Sequence, residues 1–226
     1  MKYDFILGVG AQKAGTTWLY NYLKSSKETN LGPVKEWHIW DAIYNNFFSN
    51  FLLSKNASEN NIINKIRFAM QNKEGFYEKY FLTLVSSEIK LTGDITPSYS
   101  TLNCSYLNKI KNKLISSGFN VKVIFIMRDP VLRNWSALRM IIDLNEKYKN
   151  IDTNDANELF IKYYQSNGFK LRTNYEFTVE NLIKVFEKKN IYFGFYESLF
   201  DDTNIEIMSN FLGVKTDLNF KKNYSN

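Results

Sequence analysis

The sequence contains very few of the side chains that build disulfide frameworks and metal centres. Cys104 is the only cysteine and His38 is the only histidine among the 226 residues. One cysteine excludes both an internal disulfide and a cysteine cluster for zinc. One histidine argues against a histidine-rich metal site, and against a Ser-His-Asp triad away from residue 38. We therefore expect no metal site.

Long apolar runs and targeting signals are also missing. No stretch approaches the length needed to span a bilayer. The first residues enter an apolar strand pattern, without the basic and then apolar sequence of a signal peptide. The sequence has no internal repeat and no low-complexity linker. We therefore expect a cytoplasmic protein with no membrane span, folded as one domain over residues 1–226.

The charge balance of the chain is basic. It has 29 Lys and Arg against 23 Asp and Glu, which gives a net charge of +6 at pH 7. Such a charge favours anionic partners, which include nucleic acid, acidic polymers and phosphorylated cofactors. However, the lysines are mixed with asparagines, with no dense basic run and no RNA-binding motif. Nucleic acid is therefore not the expected partner.

Strand and helix patterns alternate along the chain. Short apolar runs predict strands at residues 5–9, 91–95, 121–127 and 191–196. Helical patterns lie between these strands, and a mostly helical insert covers about residues 43–90. This alternation predicts an α/β fold with a P-loop-like parallel sheet and helices on both faces. Helical spacing further predicts two apolar stripes of the insert that face the core, namely Ile62, Ile63 and Ile66, and Tyr77, Tyr80, Phe81, Leu84 and Val85. An apolar stripe of a later helix consists of Val179, Leu182, Ile183 and Phe186.

A glycine-bounded loop follows the first predicted strand, in the sequence GVGAQKAGTTW. Gly10 and Gly15 have the spacing of a nucleotide-binding GxxxxGK[ST] loop, but Thr16 and Thr17 follow and the lysine lies inside the loop as Lys13. Backbone N–H groups and a helix N-terminus after a strand form a site for an anion. Lys13 would then lie over the bridging side of that anion. The alternative is a simple turn with a solvated lysine.

A second segment, RDPVLRNWS, follows the most apolar strand. Arg128 stands at the carboxyl end of that strand, and Ser136 lies eight positions later on a helix that Asp129 and Pro130 are expected to start. An arginine and a serine so placed can reach one phosphate. The alternative is that Arg128 only pairs with Asp129. Together with the loop, this segment suggests a ligand with phosphate at two separate places.

A third segment, KEWHIWD, contains Glu36 and His38. Residues two apart in an extended chain face the same way, and either side chain could take a proton from a substrate hydroxyl. The alternative interpretation is a solvated Glu36 and a His38 packed between Trp37 and Trp40. Spacing alone slightly favours this alternative interpretation.

These segments carry a resemblance to sulfotransferases that use 3′-phosphoadenosine-5′-phosphosulfate (PAPS). The loop resembles their 5′-phosphosulfate loop, RDPVLRNWS is similar to their 3′-phosphate segment, and KEWHIWD resembles the glutamate-x-histidine segment of the heparan-sulfate type. GDITPSY, residues 93–99, resembles their E-K-T-P-x-Y segment. The matches follow the family's order over residues 5–214.

The resemblance implies a role for each matching residue. Glu36 would be the catalytic base that deprotonates an acceptor hydroxyl, with His38 beside it, and Lys13 would contact the bridging oxygen and the sulfonate. The implied product is 3′-phosphoadenosine-5′-phosphate (PAP), and the reaction needs no metal. The favoured acceptor is a carbohydrate or another hydroxyl-bearing small molecule. The implied cofactor-binding residues are Lys13, Ala14, Gly15, Thr16, Thr17, Trp18, Arg128 and Ser136.

The sequence departs from the family pattern in two places. Ile95 replaces the lysine of E-K-T-P, which removes one cation near the acceptor or sulfonate, and Asp94 replaces the glutamate. The chain stops at residue 226, where family members continue into a basic loop over the nucleotide. Two alternatives are open: Lys215, Lys221 and Lys222 replace part of that loop, or the chain is a truncated or minimal form.

Two other functions remain open from the sequence. A small-molecule P-loop kinase would need a lysine in place of Thr16 and an acidic magnesium site. A non-catalytic protein that binds a nucleotide or an acidic glycan would need only the loop. Acceptor specificity is expected to lie in residues 43–87 and 141–175, which contain no readable motif.

Overall fold

Four parallel strands form the centre of the structure, a computed structural model that describes residues 3–59, 61–148 and 152–222. The sheet order is β2-β1-β3-β4, and neighbouring strands pair in parallel throughout. The strands are β1 (Tyr3–Gly10), β2 (Leu91–Ile95), β3 (Phe119–Met127) and β4 (Ile191–Phe195). Each strand predicted from the sequence is present, and β1 and β3 begin two residues earlier than predicted.

Twelve α-helices flank this sheet within the described residues. They are α1 (Thr16–Ser25), α2 (Trp40–Tyr44), α3 (Lys55–Ser58), α4 (Ile62–Asn72), α5 (Phe76–Leu82), α6 (Cys104–Ser116), α7 (Pro130–Leu144), α8 (Thr153–Tyr164), α9 (Asn167–Thr173), α10 (Tyr175–Val185), α11 (Asp202–Leu212) and α12 (Asn219–Lys222). The predicted fold class, a P-loop-like parallel sheet flanked by helices, is confirmed.

Apolar side chains of the strands form the core. Phe5, Ile6 and Leu7 of β1 are fully buried, because β1 has a strand on each side and helices over both faces. The parallel pairing brings the carboxyl ends of the strands to one edge of the sheet, where the loops after them meet. This edge is where ligands of open α/β sheets bind.

The predicted apolar stripes are only partly correct. Leu182 is fully buried, whereas Ile183 is 60% exposed and Ile62 is 67% exposed. Ile62 is the first residue of α4 and Ile183 points away from the helix face that packs on α6. Hydrophobic spacing therefore located these helices but overestimated the width of their buried faces.

The helical insert packs on the sheet through aromatic side chains. Tyr77 and Phe81 of α5 contact the ring of Phe5 at centroid distances of 6.1 and 5.0 Å. A 3-10 helix at Asn46–Phe51 lies between α2 and α3. These ring contacts hold α5 against the amino half of β1. No helix among the described residues is both long and apolar enough to cross a membrane.

Candidate active site

A cavity of about 760 Å³ opens at the carboxyl edge of the sheet. Its walls come from the loops that follow β1, β2, β3 and β4, and from the segment before α2. The residues that line it are Gln12, Lys13, Gly15, Thr16, Thr17, Trp18, Lys35, Glu36, His38, Phe51, Pro97, Ser98, Arg128, Ser136, Met140, Arg172, Tyr196 and Phe200. The three segments singled out in the sequence therefore meet in one place.

The loop between β1 and α1 has the backbone expected of an anion site. Lys13 has a φ of 64° and Gly15 a φ of 88°, so both lie in the left-handed region. Gly15 must be glycine, because a Cβ there would lie 2.7 Å from the Leu199 side chain. Thr16 and Thr17 then begin α1, whose first N–H groups have no intrahelical partner. Loop and helix terminus together present donors to the cavity.

Arg128 lies against this loop at the end of β3. Its Nη1 donates to the Lys13 carbonyl at 3.0 Å, and its guanidinium lies 4.2 Å from the Tyr196 ring centroid. The carboxylate of Asp129 caps α7 by accepting from the Leu132 N–H at 2.8 Å. Arg128 is therefore not paired with Asp129, and its side chain remains directed at the cavity.

Ser136 reaches the same cavity from α7, which is anchored from behind by a buried arginine. Arg133 is fully buried and donates to Asn134 and, at 2.8 Å, to the Thr173 hydroxyl. Burial lowers the pKa of Arg133 to about 10, which leaves it charged at neutral pH. The arginine ties α7 to α9, so it fixes the helix that presents Ser136.

The residues on this side of the cavity fit an anionic nucleotide. Burial lowers the pKa of Lys13, and the positive charges of Arg139 and Arg128 lower it further, so an anion would relieve repulsion among these cations. Two buried nitrogens, Trp18 Nε1 and Arg128 Nε, have no hydrogen-bond partner in the described part of the chain. Concentrated cations and unpartnered donors are the chemistry that phosphate groups satisfy.

The opposite wall holds a cluster of one imidazole and two carboxylates. His38 Nε2 lies 3.4 Å from Glu36 Oε2, and its Nδ1 lies 2.6 Å from Asp41 Oδ2. The Asp41 side chain is fully buried at the start of α2, and Ser98 Oγ also donates to it. Lys35 donates to the other oxygen of Glu36. The two carboxylates thus fix both ring nitrogens of His38.

These contacts determine the charge states of the pair. Burial would lower the pKa of His38, but hydrogen bonds to Asp41 and Glu36 outweigh it and raise the pKa to about 9. Burial would raise the pKa of Glu36, but the hydrogen bonds from His38 and Lys35 outweigh it and lower the pKa. At neutral pH His38 is therefore a cation and Glu36 an anion. Of the two, only Glu36 can accept a proton.

His38 is not packed between two tryptophans, as one interpretation of the sequence has it. Its ring stacks on Phe51 of the insert, with centroids 3.7 Å apart and planes within 3°. Trp37 is buried against Tyr80, with the two ring centroids 5.2 Å apart. The insert thus contributes directly to the site, through Phe51.

The structure brings together nearly all the predicted site residues. Of the predicted cofactor-binding residues, only Ala14 is absent from the cavity wall, since it is buried and its N–H donates to the Ala11 carbonyl at 3.2 Å. Lys215 lines a separate cavity beside Glu28 and is not part of this site. The side chains of Lys221 and Lys222 lie outside the described residues.

Ile95 of GDITPSY, at the position of the family's lysine, does not line the cavity. Ile95 is 1% exposed and packs closely on Gly8. A Cβ added to Gly8 would lie 2.9 Å from Cγ1 of Ile95. Sequence reasoning missed Asp41, Phe51 and Arg172, which contact His38 or line this wall. Asp41 was visible three residues after His38, while Phe51 and Arg172 lie in segments that contain no readable motif. The described residues contain no group of three or more His, Cys, Asp and Glu that could hold a metal.

We expect Asp41→Asn to lower the pKa of His38 from about 9 toward its ordinary value of 6.5. The reason is that the variant removes the closer of the two negative charges on the imidazole. Because His38 is the only histidine, an NMR titration of the untagged protein reads its imidazole without assignment. Asp143→Asn, at an exposed carboxylate on α7, should leave the titration unchanged. An unshifted midpoint in Asp41→Asn would contradict the proposed contact.

The fold and the site define a P-loop-like α/β protein with its cavity at the carboxyl edge of the sheet. The family model of the sulfotransferase domain matches residues 3–225, and the chain therefore belongs to the sulfotransferase family. No curated protein sequence matches the chain. Family membership supports sulfonyl transfer as the type of reaction.

Solved sulfotransferases have a similar fold. A sulfotransferase from Alicyclobacillus acidocaldarius has a TM-score of 0.62 at 19% identity, over 96% of this chain and 83% of its own. The sulfotransferase domain of the Synechococcus PCC 7002 olefin synthase has a TM-score of 0.57 at 18% identity, over 99% and 77%. The sulfotransferase domain from the curacin biosynthetic pathway has a TM-score of 0.57 at 15% identity, over 99% and 78%. At these identities the likeness concerns the fold.

Proposed function

We propose that this protein transfers a sulfonyl group from PAPS to a hydroxyl of an acceptor, with a carbohydrate as the favoured acceptor class. One observation carries the proposal. The Lys13 loop, the Arg128 and Ser136 pair and the anionic Glu36 line a single cavity. Family membership supplies the reaction type. The geometry supplies the residues that would perform it.

The donor side of the cavity would hold the two phosphate groups of PAPS. Gly15, Thr16 and Thr17 offer backbone and hydroxyl donors to the 5′-phosphate, and the dipole of α1 favours its charge. Arg128 and Ser136 approach from a different strand and helix, which suits the separate 3′-phosphate. When bound, PAPS would supply a sulfur that gains a bond to the acceptor oxygen as its bond to the bridging phosphate oxygen breaks.

The acceptor side would activate the hydroxyl. Glu36 takes the proton of that hydroxyl, because its carboxylate is ionised at neutral pH. His38 remains protonated and holds Glu36 in place through Nε2, while Asp41 orients the imidazole from Nδ1. Lys13 is the cation placed to stabilise the negative charge that develops on the bridging oxygen.

Arg172 is the cation that we assign to acceptor binding. It lines the cavity from α9, and its guanidinium lies 5.3 and 4.9 Å from the ring centroids of Phe47 and Phe48. Its one hydrogen bond to described protein atoms goes to the Gly168 carbonyl at 3.3 Å, and the described ion pairs do not include it. An acidic group on the acceptor would supply the partner that Arg172 lacks.

We expect Arg172→Gln to raise the KM for acidic acceptors by about 10- to 100-fold, because it removes a charge-assisted hydrogen bond. The KM for matched acceptors whose carboxylate is converted to an amide should change little, and so should PAP affinity. Lys170→Gln removes an exposed cation from the same helix and serves as the control. Equal losses on acid and amide acceptors would show that Arg172 only supports the fold.

The overall test is transfer of radiolabelled sulfate from PAPS to a panel of neutral and acidic glycans. Labelled product that forms without added metal would support the proposal. Magnesium-dependent transfer of phosphate from ATP would favour the kinase. PAP binding without turnover on any glycan or simple alcohol would favour a binding protein.

A crystal soaked with PAP should place the 5′-phosphate on residues 13–17 and the 3′-phosphate at Arg128 and Ser136, and a 3′-phosphate elsewhere would refute the cofactor assignment.

A further inference from the structure

The segment that carries Glu36 and His38 belongs to neither a helix nor a strand. Its backbone is held instead by side chains of the loop after β2. The Trp37 N–H donates to Thr96 Oγ1 at 3.1 Å, and the Ile39 N–H donates to the Tyr99 hydroxyl at 3.3 Å. These two N–H groups belong to the residues before and after His38, so the two hydroxyls hold the Glu36–Trp37 and His38–Ile39 peptides.

Both hydroxyls are in turn held by one carboxylate. Thr96 Oγ1 donates to Asp94 Oδ1 at 2.6 Å, and the Tyr99 hydroxyl donates to Asp94 Oδ2 at 2.7 Å. A third hydroxyl, that of Tyr77, donates to the same Oδ2 at 3.1 Å. Asp94 is fully buried and lies at the end of β2, the strand next to β1. It is therefore a fixed point of the sheet from which two hydrogen-bond chains reach residues 36–39, here called the active segment.

The insert holds the same segment from the other side. Arg67 Nη2 donates to the Glu36 carbonyl at 3.0 Å, and Gln71 Nε2 donates to the His38 carbonyl at 3.1 Å. Arg67 and Gln71 are four residues apart on α4, so they share one helix face. Four of the six backbone groups from the Glu36 carbonyl to the Ile39 N–H are thus bound by side chains, so the Glu36–Trp37 and His38–Ile39 peptides are each held at both their C=O and their N–H.

This support matters because the backbone of His38 is unusual. Its φ of 52° lies in the left-handed region, which a residue with a Cβ adopts at a cost of about 1–2 kcal/mol. A short segment without secondary structure does not keep such a conformation unless its surroundings impose it. The two N–H groups that flank His38 are the groups that Thr96 and Tyr99 bind.

We propose that Asp94 is a positioning residue for sulfonyl transfer, which acts through Thr96 and Tyr99 to set the backbone of Glu36 and His38. The inference rests on the proposed function, in which Glu36 is the base. A carboxylate suits this role because it only accepts hydrogen bonds. Each hydroxyl must direct its proton at Asp94, and this leaves its oxygen free to accept from the backbone N–H.

Two matched pairs of variants separate positioning from simple stabilisation. Tyr99→Phe and Tyr77→Phe each remove one hydroxyl that donates to Asp94 Oδ2, but only Tyr99 also binds the active segment. Thr96→Val removes a buried hydroxyl just after β2, and Thr92→Val removes a buried hydroxyl on β2. Thr92 donates to the Asn30 carbonyl at 2.7 Å, away from the site.

We expect Tyr99→Phe and Thr96→Val to lower kcat at least about tenfold more than the matched controls Tyr77→Phe and Thr92→Val do. The reason is that a small displacement of a catalytic group lowers the rate strongly. PAP affinity should remain within about twofold of the wild-type value in all four variants, since the donor side is untouched. The NMR signals and pKa of the single histidine should change in Tyr99→Phe and Thr96→Val, and remain unchanged in Tyr77→Phe and Thr92→Val.

The NMR readout keeps the inference separate from the proposed function. If the wild-type protein transfers no sulfate, the proposed function fails, while the histidine signals still test whether Asp94 and its hydroxyls position His38. If wild type is active and both members of each pair lose the same kcat, Asp94 is structural and the inference is overturned. Equal histidine signals across the four variants would overturn it as well.

Discussion

Glu36→Gln is expected to lower kcat for sulfonyl transfer by about 10²- to 10⁴-fold, the usual contribution of a general base. The variant keeps the size of the side chain and one acceptor oxygen, which can accept from Lys35 or from His38, since these two cations contact different oxygens of Glu36. It removes the carboxylate that the hydrogen bonds of His38 and Lys35 keep ionised. PAP affinity, measured by calorimetry, should change little, because the donor-side residues lie on the opposite wall.

The control for this variant is Glu88→Gln, which alters an exposed glutamate beside β2.

The pH dependence of the activity gives an independent test of which group is the base. With Glu36 as base, activity should already be at its plateau at neutral pH, since its pKa is lowered from 4.5. If His38 were the base, activity would rise only as the pH passes about 9 and the imidazole loses its proton. Such a rise, or full activity in Glu36→Gln, would refute the assignment.

Local patterns predicted the sheet and the geometry of the loops after β1 and β3 well. The strand of β1, the glycines at 10 and 15 and the start of α1 are adjacent in sequence, so their geometry follows from local rules. The same holds for Arg128, Asp129 and the start of α7, where strand end, N-cap and Pro130 are consecutive. Parallel pairing then brings β1 and β3 together, which the alternation of elements implied.

The acceptor side could be predicted only in part, because its contacts are distant along the chain. The stack of Phe51 on His38 joins the insert to the active segment, and Arg172 arrives from α9. Neither position has a local pattern that distinguishes it from other aromatic or basic residues. The exposure of Ile62 and Ile183 has the same origin, since packing partners and not spacing decide how wide a buried helix face becomes.

The departure of GDITPSY from the family pattern becomes intelligible once the contacts are known. The Thr96 and Tyr99 hydroxyls of this segment bind the backbone beside His38 and donate to Asp94, while Ile95 alternates into the core. A lysine at position 95 would need a side chain that leaves the edge of the sheet in a different direction. The segment in this chain therefore supports the active site through hydroxyls and a buried carboxylate.

Lys13→Ala is expected to lower kcat by about 10²- to 10³-fold, the usual loss when one group that stabilises developing transition-state charge is removed. The substitution isolates the ammonium, because lysine and alanine both have a Cβ and face the same penalty at a φ of 64°. PAP affinity should fall less than kcat, since PAP has no sulfonate for Lys13 to contact and the other phosphate-binding residues of the cavity remain in place. Single-turnover experiments would separate the chemical step from product release.

The controls for this last variant are Lys27→Ala and Lys13→Arg. Lys27 is an exposed lysine at the separate cavity near Glu28, so its removal should leave kcat unchanged. Lys13→Arg keeps the charge and should recover part of the activity, because the cavity is open and about 760 Å³ in volume. A parallel fall of kcat and PAP affinity in Lys13→Ala would mean that the lysine only binds the nucleotide. The displacement of the lysine into the loop would then need an explanation other than assistance to the leaving group.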